Sequence, residues 1–243
     1  MKAIILAAGT ASRLRPLTDN TPKCLLNVGN KSILQRTIEN LLSNEIDEFV
    51  IVTGYLGGMI EKFVAENFPD LKVVFIHNEK YSSTNNIYSL WMTKKHALNN
   101  EIFLLDSDIV FDSRIVGLLK NSGYENCLAV KTGIELSDEE IKITVNKDNS
   151  ISEISKTVEL SRALGESIGI EKFGKRFVEN LFAELDKMIL DENLSNVFYE
   201  AAFERLIRKG KEIYSVSVEN LKCLEIDFPE DFERAAVEVL EMK

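Results

Sequence analysis

The feature that most constrains this chain is an alternation, up to Leu105, of short apolar runs with segments of helical periodicity. Residues 3–7 are an apolar run that leads into Gly9. Residues 32–42 follow with Ile33, Leu34, Ile38, Leu41 and Leu42 on one helical face. Next come a strand at 49–52, a helix at 58–67, a strand at 73–76, a helix at 87–98 and a strand at 102–105. Strands this short and this uniformly apolar belong to a parallel sheet covered on both faces, an α/β fold. After about Asn126 the rhythm changes to shorter strands at 128–132, 141–145 and 151–154. Helices at 175–190 and 197–209, a strand at 212–216 and a helix after Pro229 complete the pattern. No repeat, low-complexity stretch or linker divides the chain, so residues 1–243 are expected to form one domain.

Composition narrows the chemistry. With 45% hydrophobic residues the chain can bury a sizeable core, yet no segment approaches the length of a membrane span. The N-terminal apolar run is too short for a signal peptide, and a cytoplasmic protein is expected. Cys24, Cys127 and Cys223 show no zinc spacing and imply no disulfide framework. Only two histidines, His77 and His96, are present, so carboxylates must do any metal binding. The net charge of −10 argues against broad nucleic-acid binding but allows a pocket for a small anion.

In an open parallel sheet, ligands bind beyond the carboxyl ends of the strands. That rule selects the loop after Ala7, the loop after Ile76 and Asp106-Ser107-Asp108. The first loop, from Leu6 through Ala7, Ala8 and Gly9 to Thr18, is rich in small residues that let backbone N–H groups approach phosphates. Arg13 and Lys23 add positive charge nearby. There is no P-loop and no dinucleotide fingerprint, and the same residues alone would also make an ordinary Gly/Ser turn. The spacing, however, runs Leu-Ala-Ala-Gly, three residues, Arg-Leu, then Pro-Leu-Thr, then Pro-Lys. Residues 2–25 thereby resemble the signature of the nucleotidyltransferases that activate sugar phosphates and phosphocholine. One departure is Ala11, where that family usually has glycine.

The resemblance implies a Rossmann-like three-layer sandwich with a mostly parallel central sheet and a smaller α+β elaboration. Residues 1–125 would be the nucleotide-binding core. Residues 126–243 would build the acceptor site and a C-terminal metal-binding segment. Arg13 would grip the β- and γ-phosphates and Lys23 the α-phosphate. The cofactor would be Mg²⁺, held by Asp108 and Asp227, with Asp106 a further candidate. Asp106 and Asp108 share a face if the strand continues through both; a turn-capping aspartate is the plainer alternative.

The segment Asn78 to Leu90 resembles the bacterial phosphocholine cytidylyltransferases, with Asn-x-x-Tyr followed by Asn85-Asn86, two residues, and Ser89-Leu90. It implies that Asn85, Asn86 and Ser89 bind CTP, although Thr84 or Asn85 would also serve as a helix cap. For the acceptor, a small phosphorylated molecule, the candidates are Lys156, Glu166, Tyr199 and Glu200. Tyr88, Tyr199 and Glu200 would suit an amine or quaternary ammonium; Phe198-Tyr199-Glu200 also fits an amphipathic helix that buries Phe198 and exposes Glu200. The alternatives are a sugar-1-phosphate nucleotidylyltransferase and a non-catalytic nucleotide-binding module. The oligomeric state is left open.

Overall fold

Lys2–Ala7 form strand β1, buried from Ala3 onward, in the middle of a mixed nine-stranded sheet. The structure is a computed structural model and describes residues 1–242. A loop and a small hairpin, β2 (Asn27–Val28) and β3 (Lys31–Ser32), lead to helix α1 (Ile33–Ser43). Ser32 starts that helix by accepting the Gln35 N–H at 3.1 Å. Strand β4 (Glu48–Thr53), helix α2 (Gly57–Asn67) and strand β5 (Lys72–His77) follow. Then come α3 (Asn86–Met92), α4 (Lys94–Ala97), β6 (Ile102–Asp106), β7 (Ile109–Phe111) and α5 (Arg114–Lys120). The remainder comprises β8 (Cys127–Lys131), β9 (Lys142–Val145), β10 (Ile151–Ser155) and β11 (Gly165–Phe173). Helices α6 (Lys175–Asp186) and α7 (Glu200–Arg208), strands β12 (Tyr214–Ser217) and β13 (Cys223–Glu225), and helix α8 (Pro229–Glu238) close the chain.

The core of the sheet is parallel, in the order β6-β1-β4-β5, with Ile4 opposite both Val50 and Leu104. Alternation along β1 sorts its side chains to two faces. Ile4 and Leu6 join Leu90, Phe182 and Phe203 in one core, whereas Ala3, Ile5 and Ala7 join Leu34, Ile38, Ile60 and Val116 in the other. Helices therefore cover both faces, and the expected three-layer α/β sandwich with a mostly parallel sheet is present. Each fully buried Ile, Leu or Phe in these layers contributes about 1.5–3 kcal/mol.

The elaboration is grafted onto the β6 edge by β11. That strand runs antiparallel to β6 at Ile170–Phe173, shifts register between Ser167 and Glu171, and pairs with β9 at Gly165 and Glu166. Strand β8 also pairs with β11, and β12 adds to β8 in parallel.

Several elements depart from the expected pattern for local reasons. The helix expected over 87–98 breaks at Thr93, whose hydroxyl donates to the Leu90 carbonyl at 2.7 Å. The helix expected over 175–190 is α-helical to Asp186 and ends in a π-turn, Lys187–Asp191. The helix expected from residue 197 starts at Glu200. The β6 strand stops at Asp106, so Asp106 and Asp108 do not continue along one strand.

Candidate active site

The carboxyl ends of β1, β5 and β6 open onto a cleft of about 350 Å³. Leu6, Ala7, Ala8 and Gly9 line it beside Arg13 and Lys23. Ala11, which stands where glycine is usual, turns this loop with φ 47° and ψ 47°, a left-handed conformation that glycine adopts more readily than alanine. Its carbonyl accepts the Thr18 hydroxyl at 2.9 Å and the Leu14 N–H at 3.1 Å, so the turn is closed despite the methyl group.

Opposite the loop, distant parts of the chain converge. Strand β13 pairs antiparallel with β7, placing Glu225 against Ile109, and the Ile226 N–H donates to the Asp108 carbonyl at 3.0 Å. This brings Asp227 beside Asp108. Asp231 accepts the Asp227 and Phe228 N–H groups at 3.2 and 2.9 Å, fixing the entry to α8. Lys23 lies between the two carboxylates, 2.9 Å from Asp108 Oδ2 and 2.8 Å from Asp227 Oδ1. Arg13 donates to the other Asp227 oxygen, and its guanidinium stands 4.9 Å from the Phe228 ring centre. Burial pulls the Lys23 ammonium toward neutrality, but Asp108 and Asp227 outweigh it and keep the lysine charged. Burial likewise raises the Asp227 carboxyl, yet Lys23 and Arg13 hold it below the usual carboxylate value.

Among the described residues, one group of three side chains is arranged to hold a metal ion: Asp108, Glu225 and Asp227, with ligand oxygens within 4.8 Å of one another. Asp108 Oδ1 is buried without a hydrogen-bond partner. An all-oxygen donor set with an unsatisfied carboxylate oxygen fits a hard divalent cation. From sequence Glu225-Ile226-Asp227 is an acidic element like Asp106-Ser107-Asp108, but only its Asp227 is assigned to the ion; the signal for Glu225 is the alternation, which puts two acids on one side of an extended segment. Asp106 lies outside the group. Its Oδ2 accepts the Tyr199 hydroxyl at 3.0 Å, and burial, then the charges of Asp108, Glu200 and Glu225, push its carboxyl well above the usual range. Gly169 lets β11 approach this point, since a Cβ there would lie 2.7 Å from Asp106 Oδ2.

Asn85, Asn86 and Ser89 line the same cleft. Buried Asn78 organises them: its amide donates to Ser89 Oγ at 3.1 Å and Thr84 Oγ1 at 3.3 Å, and its Oδ1 accepts the Lys80 N–H at 2.9 Å. Asn85 Oδ1 accepts the Asn86 N–H at 2.7 Å and caps α3. Asn86 Oδ1 accepts the Tyr199 N–H at 2.9 Å, joining this segment to the start of α7.

At the far end, Lys156, Glu166 and Glu200 line the cleft with Phe198, Glu139 and Glu140. The Lys156 ammonium is 3.5 Å from Glu139 and 5.1 Å from the Phe198 ring centre. Burial, reinforced by Glu140, pushes the Glu166 carboxyl to about 7, and burial pushes Glu200 to about 7. Tyr199 does not form a wall of the cleft. It is fully buried, its ring 5.3 Å from Phe203 and its hydroxyl shared between Asp106 and Glu171. The apolar face of α7, with Ala202, Phe203 and Leu206, turns inward and takes Tyr199 with it, so the expected helix is inverted at its start: Phe198 is exposed and Glu200 is buried. Tyr88 also packs elsewhere, against Trp91 at 5.3 Å.

A parallel α/β sheet whose strand ends hold a small-residue loop, two basic side chains and facing carboxylates defines a nucleotide-handling transferase. The chain belongs to the nucleotidyl transferase family, whose model matches residues 2–140. It is 31% identical to the CTP:phosphoglutamine cytidylyltransferase of Campylobacter jejuni, over 96% of this chain and 98% of that one. It is 28% identical to the choline-phosphate cytidylyltransferase of Streptococcus pneumoniae, over 96% of both chains. The solved structure of the CTP:phosphocholine cytidylyltransferase from Streptococcus pneumoniae superposes with a TM-score of 0.80 at 25% identity, covering 98% of each chain.

Proposed function

We propose that this protein transfers a cytidylyl group from CTP to a small phosphorylated acceptor bearing an amine or quaternary ammonium, releasing pyrophosphate. The observation that carries the reading is the convergence of Arg13, Lys23, Asp108 and Asp227 on one cleft, from positions up to 214 residues apart. The two full-length cytidylyltransferase relatives support it. In this reading Arg13 binds the β- and γ-phosphates, and Lys23 neutralises charge developing at the α-phosphate. Asp108 and Asp227 hold Mg²⁺, with Glu225 as the third carboxylate. The ion, when bound, offsets triphosphate charge. Asn85 and Asn86 use their amide oxygens within the protein. Their NH₂ groups are thereby left to donate to O2 and N3 of cytosine, which a base with a donor at N3 satisfies less well. Lys156 takes the acceptor phosphate, and the carboxylates of Glu166 and Glu200 face its cationic end. Residues 1–125 and 126–243 act as one domain in which the second part supplies the acceptor wall.

The test follows pyrophosphate release with CTP, UTP, dTTP and GTP against amino-alcohol phosphates and glucose 1-phosphate. CTP with an amino-alcohol phosphate is expected to be the preferred pair. Preference for UTP or dTTP with glucose 1-phosphate would replace the reading with a sugar nucleotidylyltransferase. Binding of CTP with no pyrophosphate from any pair would leave a non-catalytic module.

A further inference from the structure

Glu200 opens α7, lines the cleft and is only 6% exposed. Its Oε2 accepts no hydrogen bond. On the same cleft, the buried Ser167 hydroxyl is also without a partner. Lys156 supplies the nearby opposite charge, but its ammonium is already engaged with Glu139 and the Phe198 ring. A buried carboxylate oxygen without a donor bears the cost of its lost hydration, and a ligand that donates to it recovers that cost.

The aromatic content of the cleft points the same way. Among the described residues only Tyr81 and Phe198 line it with aromatic rings. Tyr81 belongs to the Asn78–Ser89 side, its ring centre 6.2 Å from that of Tyr55. A quaternary ammonium has no N–H and is held by surrounding aromatic faces. Here it would meet one ring, Phe198, and leave the Glu200 oxygen unpaired.

We propose that the nitrogen of the acceptor is a primary ammonium whose N–H groups are taken up by Glu200. The inference rests on the cytidylyl-transfer reading above and narrows its acceptor. Phosphoethanolamine and its mono-, di- and trimethylated forms, the last being phosphocholine, remove N–H donors one at a time while the nitrogen stays cationic. With CTP fixed, kcat/KM is expected to fall by at least about tenfold across the series, as for loss of a hydrogen bond to a buried charged group. The steepest step should be the third methyl, which removes the last N–H. Glu200→Gln is expected to flatten the series to within about threefold, since a neutral amide oxygen is a weaker acceptor than a carboxylate and each lost N–H then costs less. A melting curve checks that this variant folds; if it does not, the wild-type series decides alone. Phosphocholine turnover equal to or faster than phosphoethanolamine overturns the inference and leaves cytidylyl transfer standing. An undiminished series in a folded E200Q protein overturns the role of Glu200. Turnover of glucose 1-phosphate with none of the four amines overturns both the inference and the reading beneath it.

Discussion

Alanine at position 11 occupies a backbone conformation that costs an L-residue about 1–2 kcal/mol relative to the right-handed region. The hydrogen bonds to its carbonyl from Thr18 and Leu14 over-determine the turn and hold it there. Ala11→Gly removes the strain but frees the unfolded chain, which returns part of the gain. The variant is expected to melt about 2 °C higher, from a net gain of roughly 1 kcal/mol in a chain of this size. A lower melting temperature would show that the methyl group's packing matters more than its strain. Glu200 gives a pH signature. Its carboxyl is raised to about 7 in the fold by burial, from 4.5. Between those values the unfolded chain releases the proton and the folded chain keeps it, so stability falls as pH rises through this window. The full loss, reached above pH 7, is on the order of 3 kcal/mol. Gln carries no such proton. E200Q should therefore gain several degrees on the wild type between pH 4.5 and pH 8. An equal difference at both pH values would remove Glu200 ionisation as the cause.

Two hydrogen bonds join elements that sequence reading treats as separate. The Asn85 N–H donates to the Ser195 carbonyl at 2.9 Å, and Asn86 Oδ1 accepts the Tyr199 N–H at 2.9 Å. The start of α3 thereby fixes the start of α7, where Phe198 and Glu200 meet the cleft. Asn86→Ala is expected to raise the acceptor KM about fivefold, as for loss of roughly 1 kcal/mol of ordering. Asn86→Asp keeps the accepting oxygen and should recover most of that rise. An increase confined to the KM for CTP would mean that Asn86 serves the nucleotide alone. None of this coupling was visible in the sequence. There, Asn85-Asn86 and Phe198-Tyr199-Glu200 read as two binding patches. Tyr199 was misplaced because the helical phase, and with it the inward face, is set by where α7 starts. The sequence pattern put that start at residue 197.

At the scale of the whole molecule, legibility followed the range of the interactions. The β1, β4 and β6 strands were readable because each is a local apolar run buried on both faces, and β5, at the sheet edge with no fully buried residue, was readable from its Val73-Val74-Phe75-Ile76 run. Arg13, Lys23, Asp108 and Asp227 were readable because the family signature marks them, not because their spacing shows that they meet. Strands β7 and β13, three residues each, were missed; their pairing joins segments more than a hundred residues apart. The place of Glu225 beside Asp108 went with them, although it completes the carboxylate trio. Asp106 points the opposite lesson: its neighbour-but-one relation to Asp108 suggested a shared role, but the end of β6 turns its side chain toward Tyr199.

Strand β11 is bonded to β6, β8 and β9 at once, and it carries Glu166 and Ser167 on the cleft and Glu171 beneath Tyr199. The wall of the cleft that β11 builds is therefore no detachable cassette. A recombinant that exchanged the chain's later part for that of another transferase would also replace the strand flanking β6, together with the glycine that clears Asp106. Variation of this wall of the cleft is confined to side chains along a strand whose backbone is already part of the central sheet.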